Sequence, residues 1–307
     1  MYFIATDLME KAKRIFRLSG KNKRNHPEIT CQFRLIRACS SAMPTLTLCS
    51  LASGSTGNCT YLATDETEVL IDAGISTKRI ESALQGLGTS LTRIQGVCVT
   101  HEHSDHITAL PVMQRKYGVP FYANAGTIQS AARKKGYEAL QWKVFTNGAA
   151  FEIGDLTFMP YSIPHDAYDP VGFVIQWRET KIGFATDIGL PTNLIKAQLR
   201  GCHVLVLEAN HDHQLLIDAP RPWSLKQRIS GRQGHLSNDQ AVDLLLAVAG
   251  PQLQKVYLAH LSAECNCPNV AMGTIRRALD GAGHRHIGLE LTHPKMPSAC
   301  FTLTEEG

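Results

Sequence analysis

Long apolar runs are missing from this 307-residue sequence, and no stretch approaches the roughly 20 residues that a membrane-spanning helix needs. Charge is sparse too: 19% of residues are charged and 44% are hydrophobic, the balance of a packed globular chain and not of a disordered one. The nine cysteines follow no disulfide-like framework, and the start does not resemble a secretory signal, so the expected compartment is a reducing cytoplasm. Cys265-x-Cys267 has no second pair. It reads as two ordinary thiols, with a metal or redox pair as the alternative.

A general basic surplus is also lacking, despite a net charge of +4. Residues 1–42 hold nine Lys/Arg against three acids, which leaves 22 basic and 24 acidic residues in the remainder. Overall charge therefore gives no argument for nucleic-acid binding. Residues 1–42 show no clear periodicity beyond a short stretch around Leu8–Leu18. They fit a basic arm, a targeting segment or an upstream extension. The acids and the scarcity of Ser weaken the targeting reading, and Met43 makes a natural start. The expected division is a basic, disordered extension over 1–42 and one domain over 43–307.

Order sets in after Met43-Pro44. Short β-branched and apolar runs between turn signals read as strands at Thr45–Ala52, Thr60–Thr64, Val69–Asp72, Val97–Thr100 and Phe121–Ala123. Further strands are expected at Val144–Phe145, Ala150–Ile153, Leu156–Tyr161, Gly172–Trp177, Lys181–Ala185, Val204–Leu207, Lys255–Ala259, Ile287–Leu291 and Cys300–Leu303. Helical patterns occupy Ser76–Leu87, Ser104–Tyr117, Gly126–Lys135, Thr192–Leu199, Asp239–Val248 and Asn269–Leu279. Strands and helices interleave in two comparable halves, which predicts an α/β fold of layered sheets with helices outside.

Chemistry concentrates in His101-Glu102-His103-Ser104-Asp105-His106, a His-x-His-x-Asp-His cluster closing the apolar run Val97-Cys98-Val99. Imidazole and carboxylate together suit zinc, manganese or iron. His101 and His103 alternate as the chain leaves a strand, while Asp105 and His106 enter the following helix, so the two pairs can face two adjacent ions. A polar turn with accidental histidines is the plain alternative. Other polar residues end apolar runs in the same manner: Asp72 after Val69-Leu70-Ile71, His165 after Tyr161-Ser162-Ile163-Pro164, Asp187 after Gly183–Thr186, and His260 after Val256–Ala259. Residues so placed line a sheet rim, where ligands bind in layered folds.

These five motifs, in order across residues 45–303, resemble the metallo-β-lactamase fold superfamily. The resemblance implies an αββα sandwich and two divalent ions, zinc or manganese with iron possible. It assigns His101, His103 and His165 to the first ion, Asp105, His106 and His260 to the second, and Asp187 to a bridge. Asp72 matches a position that orients a ligand from behind. The segments Leu51–Asn58, Pro164–Gly172, Leu207–Asp212, Pro222–Arg228, Gly234–Asn238 and Ala259–Ser262 are similar to the WalJ/YycJ group. That likeness implies 5′-to-3′ exonuclease action on DNA and a part in mismatch repair.

Within this reading Asp105, His235 and Glu208 carry catalysis, with His235 paired to Glu208 to protonate the leaving oxygen. A loop or helix-cap role is the alternative for His235, and a loop-capping role for Glu208. The basic run Arg221–His235, with Lys226, Arg228 and Arg232, reads as a loop that holds a phosphate backbone or is simply solvated. Ser55 and Asn58, in the glycine-rich turn Ser53–Asn58, are expected at the substrate, its backbone N–H groups facing phosphate. His211 and His213 are surface or supporting residues; His284, His286 and His293 pack or face solvent. The competing functions are hydrolysis of a small or cyclic phosphodiester, and metal binding for regulation without turnover. Thioester hydrolysis fits the Glu208, His235 and basic residues less well. The expected partner is nucleic acid, DNA first, and no membrane.

Overall fold

The computed structural model describes residues 43–304, so the readings made for residues 1–42 lie outside the described residues. Period-two alternation governs the strands, and many are apolar on both faces. In β1 (Thr45–Ala52) Leu46 and Leu48 point to one core while Cys49 and Leu51 point to another. In β9 (Val171–Trp177) Phe173, Ile175 and Trp177 oppose Val174, and in β11 (Val204–Glu208) Val204 and Val206 oppose Leu205 and Leu207. A strand that buries both faces needs a layer on each side. Three apolar cores follow, one between two sheets and one beneath each outer helix layer.

The first sheet has the order β14 (Phe301–Thr304), β1, β2 (Cys59–Thr64), β3 (Glu68–Ile71), β4 (Gly96–Cys98), β5 (Phe121–Asn124), β6 (Trp142–Phe145). The second runs β13 (Gly288–Leu291), β12 (Lys255–Ala259), β11, β10 (Thr180–Ala185), β9, β8 (Leu156–Ser162), β7 (Phe151–Ile153). Aromatic rings join them: Phe145 stacks on Phe151 with centroids 5.0 Å apart and meets Phe173 edge-on at 5.7 Å. The helices are α1 (Thr77–Gly86), α2 (Ser104–Ile107), α3 (Leu110–Tyr117), α4 (Ala125–Ala131), α5 (Asn193–Leu199), α6 (His213–Asp218), α7 (Trp223–Ile229), α8 (Asn238–Val248) and α9 (Pro268–Gly281). The architecture is the αββα sandwich expected. Among the described residues no helix is long and apolar enough to cross a membrane.

Two expectations need correction. Ser104–Tyr117 is not one helix: it breaks between α2 and α3, where Pro111 supplies no N–H and the Ile107 carbonyl accepts from Tyr137 Oη instead. Arg221–His235 is not a plain loop either, because it contains α7, and α6 precedes it.

Strands β3 to β6 are parallel to one another, as are β10 to β13. Their carboxyl ends open on one rim. Asp72 follows β3, His101 comes soon after β4, Asp187 soon after β10, and His260 directly follows β12, while Glu208 ends β11.

Candidate metal centre

Backbone conformation aims several of these side chains. Asp72, Asp187 and His260 all have left-handed φ, at 59°, 59° and 56°. Asp and His adopt that region more readily than most residues, and non-glycine outliers of this kind cluster at working sites. Each turns the chain sharply where its strand ends.

Hydrogen bonds then fix the rings. His106 Nδ1 lies 2.7 Å from Asp72 Oδ2, and Asp72 also accepts from the Thr100 N–H at 2.8 Å. His165 Nδ1 donates to the Gly234 carbonyl at 3.1 Å, His101 Nδ1 meets Thr100 Oγ1 at 3.0 Å, and His260 Nδ1 meets Glu208 Oε1 at 3.1 Å. A carbonyl can only accept, so the proton of a neutral His165 sits on Nδ1 and its Nε2 lone pair is left to ligate. Four rings are thus held from behind with Nε2 forward.

Ligand atoms of His101, His103 and His165 gather within 4.8 Å of one another, and so do those of Asp105, His106 and His260. Asp187 stands between the sets: Oδ2 is 3.4 Å from His106 Nε2, and Oδ1 is 3.5 Å from His260 Nε2 and 3.8 Å from His165 Nε2. His101 Nε2, His260 Nε2 and Asp187 Oδ2 are buried without a hydrogen-bond partner. Buried polar atoms are rarely left so, because each forfeits its hydration. This donor chemistry and these unpartnered atoms fit divalent metal ions. Among the described residues, no group able to hold a metal contains a cysteine.

Electrostatics work in the same direction. Burial disfavours a charged His106 or His260, yet Asp72, Asp187 and Asp105 hold His106 well above its ordinary range, and Asp187, Asp105 and Glu208 raise His260 to about 10. Burial, with His106 and His165 nearby, pushes His101 well down. An ion must displace the proton on Nε2, so affinity is expected to fall as pH drops and to rise toward the raised value of His260. Titration calorimetry at pH 5, 6 and 8 checks this; affinity independent of pH would contradict it.

The backbone beneath the cluster is equally tight. Ala73 N–H donates to the His106 carbonyl at 2.8 Å and Asn58 N–H to the Asp105 carbonyl at 2.8 Å. A Cβ on Gly74 would lie 1.6 Å from the Asp105 carbonyl oxygen. Gly74→Ala should therefore displace the Asp105–His106 turn and lower the metal content of the folded protein. Metal analysis of the purified variant is the check, with unchanged content the contrary result.

Beside His260, Glu208 is fully buried. Its Oε1 lies 2.8 Å from His235 Nδ1, and its Oε2 accepts from the backbone N–H of Ile188 at 2.8 Å and Leu236 at 3.2 Å. Burial opposes its charge, but His235 and His260 hold its carboxyl well below the usual range. His235 is partly exposed and lines a cavity of about 240 Å³, together with Ser55, Asp105, Asp187, Arg221 and Arg228.

The remaining expected residues fall in several places. Asn58 turns inward: its Oδ1 accepts from Gly54 N–H, and its Nδ2 lies 3.1 Å from His106 Nε2. The N–H groups of Ser53, Gly54, Gly57 and Asn58 are all satisfied within the protein, so the turn offers Ser55 to the cavity and not these backbone donors. Arg228 pairs through Nε with Asp166 Oδ2 at 2.5 Å. Lys226 donates to the Ile217 carbonyl, and Arg232 lines a neighbouring cavity with Arg228 and Asp166. His211 is buried and His213 exposed. His286 is exposed and His284 and His293 are half-buried; none of the three lies within a strand. Asp166, beside His165 and tied to α7, had no signal in the sequence beyond adjacency.

Residues 67–261 match the Beta-lactamase superfamily domain. The exodeoxyribonuclease YycJ of Bacillus anthracis is 34% identical over 252 residues, covering 81% of this chain and 96% of that protein. The exodeoxyribonuclease WalJ of Streptococcus pneumoniae serotype 2 (strain D39) is 34% identical over 259 residues, with 83% and 96% covered. The crystal structure of zinc-bound PqqB from Methylobacterium extorquens is similar in fold, with a TM-score of 0.61 at 16% identity, covering 84% of this chain and 100% of that one.

Proposed function

Because the chain belongs to the Beta-lactamase superfamily domain family, within the group of the YycJ and WalJ exodeoxyribonucleases, we propose that it is a dinuclear metal-dependent nuclease that shortens DNA from a 5′ end. The observation that carries this reading is the meeting of two half-sites. Unpartnered buried donors of His101, His260 and Asp187 converge, and the Glu208–His235 pair, hydrogen-bonded at 2.8 Å, adjoins them, with Glu208 Oε1 3.1 Å from His260 Nδ1.

His101, His103 and His165 would hold one ion, Asp105, His106 and His260 the other, and Asp187 would reach both. Zinc or manganese suits this set, and iron is compatible. Two such ions, when bound, make hydroxide available near neutral pH and neutralise the phosphate oxygens as charge accumulates. Asp72 keeps His106 turned forward. Asp105 belongs to the second set and shapes the reacting side of the cavity. His235, steered by Glu208 through Nδ1, gives a proton from Nε2 to the departing oxygen of the broken phosphodiester. Arg228 and Ser55 face the phosphate, and the Asp166 pair holds the Arg228 guanidinium in place.

The test is a 5′-phosphorylated DNA strand labelled at its 3′ end, incubated with manganese and the full chain. Stepwise shortening that is lost in Asp105→Ala and slower on matched RNA supports the reading. Intact DNA from a metal-loaded protein would shift it to small phosphodiesters. Residues 43–307 are proposed to carry the whole activity, in a cytoplasmic setting that leaves its thiols reduced. A chain beginning at Met43 is expected to turn over normally; loss of rate would show that residues 1–42 take part.

A further inference from the structure

Tyr168 is the exposed aromatic nearest in sequence to the metal-ligand candidates, with 54% of its surface accessible three residues beyond His165. A single exposed apolar residue is ordinary. What is unusual is how firmly the backbone beneath it is held. Tyr168 N–H donates to Glu102 Oε1 at 2.9 Å, and Ser130 Oγ donates to the same oxygen at 3.1 Å. Glu102 is buried, sits between His101 and His103, and so holds the backbone beneath this exposed ring from within the His101–His106 turn. The next residue is fastened as well: the Asp169 carbonyl accepts from Asn124 Nδ2 at 2.7 Å, and Asp169 Oδ1 accepts from Asn147 Nδ2 at 2.9 Å. Gly126 lets the segment approach, since a Cβ there would lie 2.5 Å from Asp169 Cβ and 3.0 Å from the Tyr168 ring.

One cation lies against it. The Arg133 guanidinium lies over the Tyr168 ring, 5.6 Å from its centroid, and Lys134 and Lys135 follow in sequence. Among the described residues none of these three cations forms an ion pair. Three residues of chain reach at most about 11 Å, so the Tyr168 backbone lies within about three stacked nucleotides of His165.

We propose that Tyr168 is a stacking platform for an unpaired base close to the chain end, with Arg133 and its neighbours taking the adjoining phosphates. The occupant is a single-stranded nucleic acid, and the proposal rests on the nuclease reading above. A rigid aromatic face gives stacking without sequence choice, because every base has a π-face, and the cations follow the backbone. Ring and metal residues share one anchored turn, so the distance from platform to scissile bond is fixed and sets how many nucleotides must be unpaired before cutting.

Binding of a nuclease-resistant phosphorothioate strand to the full chain, read by fluorescence anisotropy, is the direct test. Tyr168→Ala should bind roughly 5- to 150-fold more weakly, while Tyr168→Trp stays near the parent. An abasic position moved along the first nucleotides should reproduce that loss in the parent at one place and add nothing to it in Tyr168→Ala. Turnover of bis(p-nitrophenyl) phosphate, which does not reach the platform, should be unchanged in both variants. Equal binding by Tyr168→Ala and the parent overturns the proposal. So does equal impairment of the Ala and Trp variants, or absence of binding by the parent. If the parent binds with the expected pattern but leaves ordinary DNA uncut, the nuclease reading fails and the platform stands.

Discussion

Asp187→Ala is expected to lose bound metal and DNA turnover together, with the rate falling by at least ~10³-fold. A bridging carboxylate would hold the two ions in register, and the charge stabilisation that depends on them is worth several kcal/mol. The carboxylate is buried among His106, His165 and His260. Burial works against its charge, yet those imidazoles hold its carboxyl below the ordinary range, so it stays ionised and ready to ligate. Alanine also inherits a left-handed φ of 59°, which costs a residue with Cβ about 1–2 kcal/mol. Asp187→Asn is therefore the control, because Asn tolerates that backbone and removes only the charge. Metal content and rate measured on both variants decide the matter. A fully active, metal-replete Asp187→Ala would sink the bridging assignment.

His235→Ala is expected to behave differently, keeping its metal while turnover on DNA slows by ~10²–10⁴-fold, the usual weight of general-acid help. Glu208 Oε1 accepts from His235 and also lies beside His260, so the His235 side chain can be removed while the ligand candidate His260 keeps its own contact at 3.1 Å. The loss should shrink on a nitrophenyl diester, whose leaving group departs without a proton. Equal losses on both substrates would point to a structural role for His235. An unaffected rate on DNA would remove it from the chemistry.

Much of this was legible from residue order. Strands that carry Leu, Val, Ile and Phe on both faces gave the layered plan, because burial on both sides erases polar alternation and leaves near-continuous apolar runs. The ligand candidates were legible because each ends such a run, where a buried strand has no packing use for His or Asp. Helix α7 was hidden for a physical reason: none of its residues is buried, so no apolar stripe marks it and its cations dominate the text. The Asn58 turn looks like a phosphate cradle in sequence, yet the Asn58 side chain closes on Gly54 and His106. Glu102 is only the unspecified position of the His-x-His pattern. Its contact with Tyr168, 66 positions away, has no local signature.

The two sheets meet largely through packed side chains, and each candidate ion would draw donors from both of them. His101 and His103 come from the first sheet and His165 from the second; Asp105 and His106 come from the first and His260 from the second. The spacing of the candidate donors from the two sheets is then set by the core packed between the sheets. Phe158, Phe173, Trp177 and Tyr257 act as shims between the halves, and interiors packed at crystal-like density register a change of one methylene. Drift in these buried rings would retune the spacing between the donors of the two sheets, so variants selected for altered rate or metal preference should map to the seam as often as to the rim.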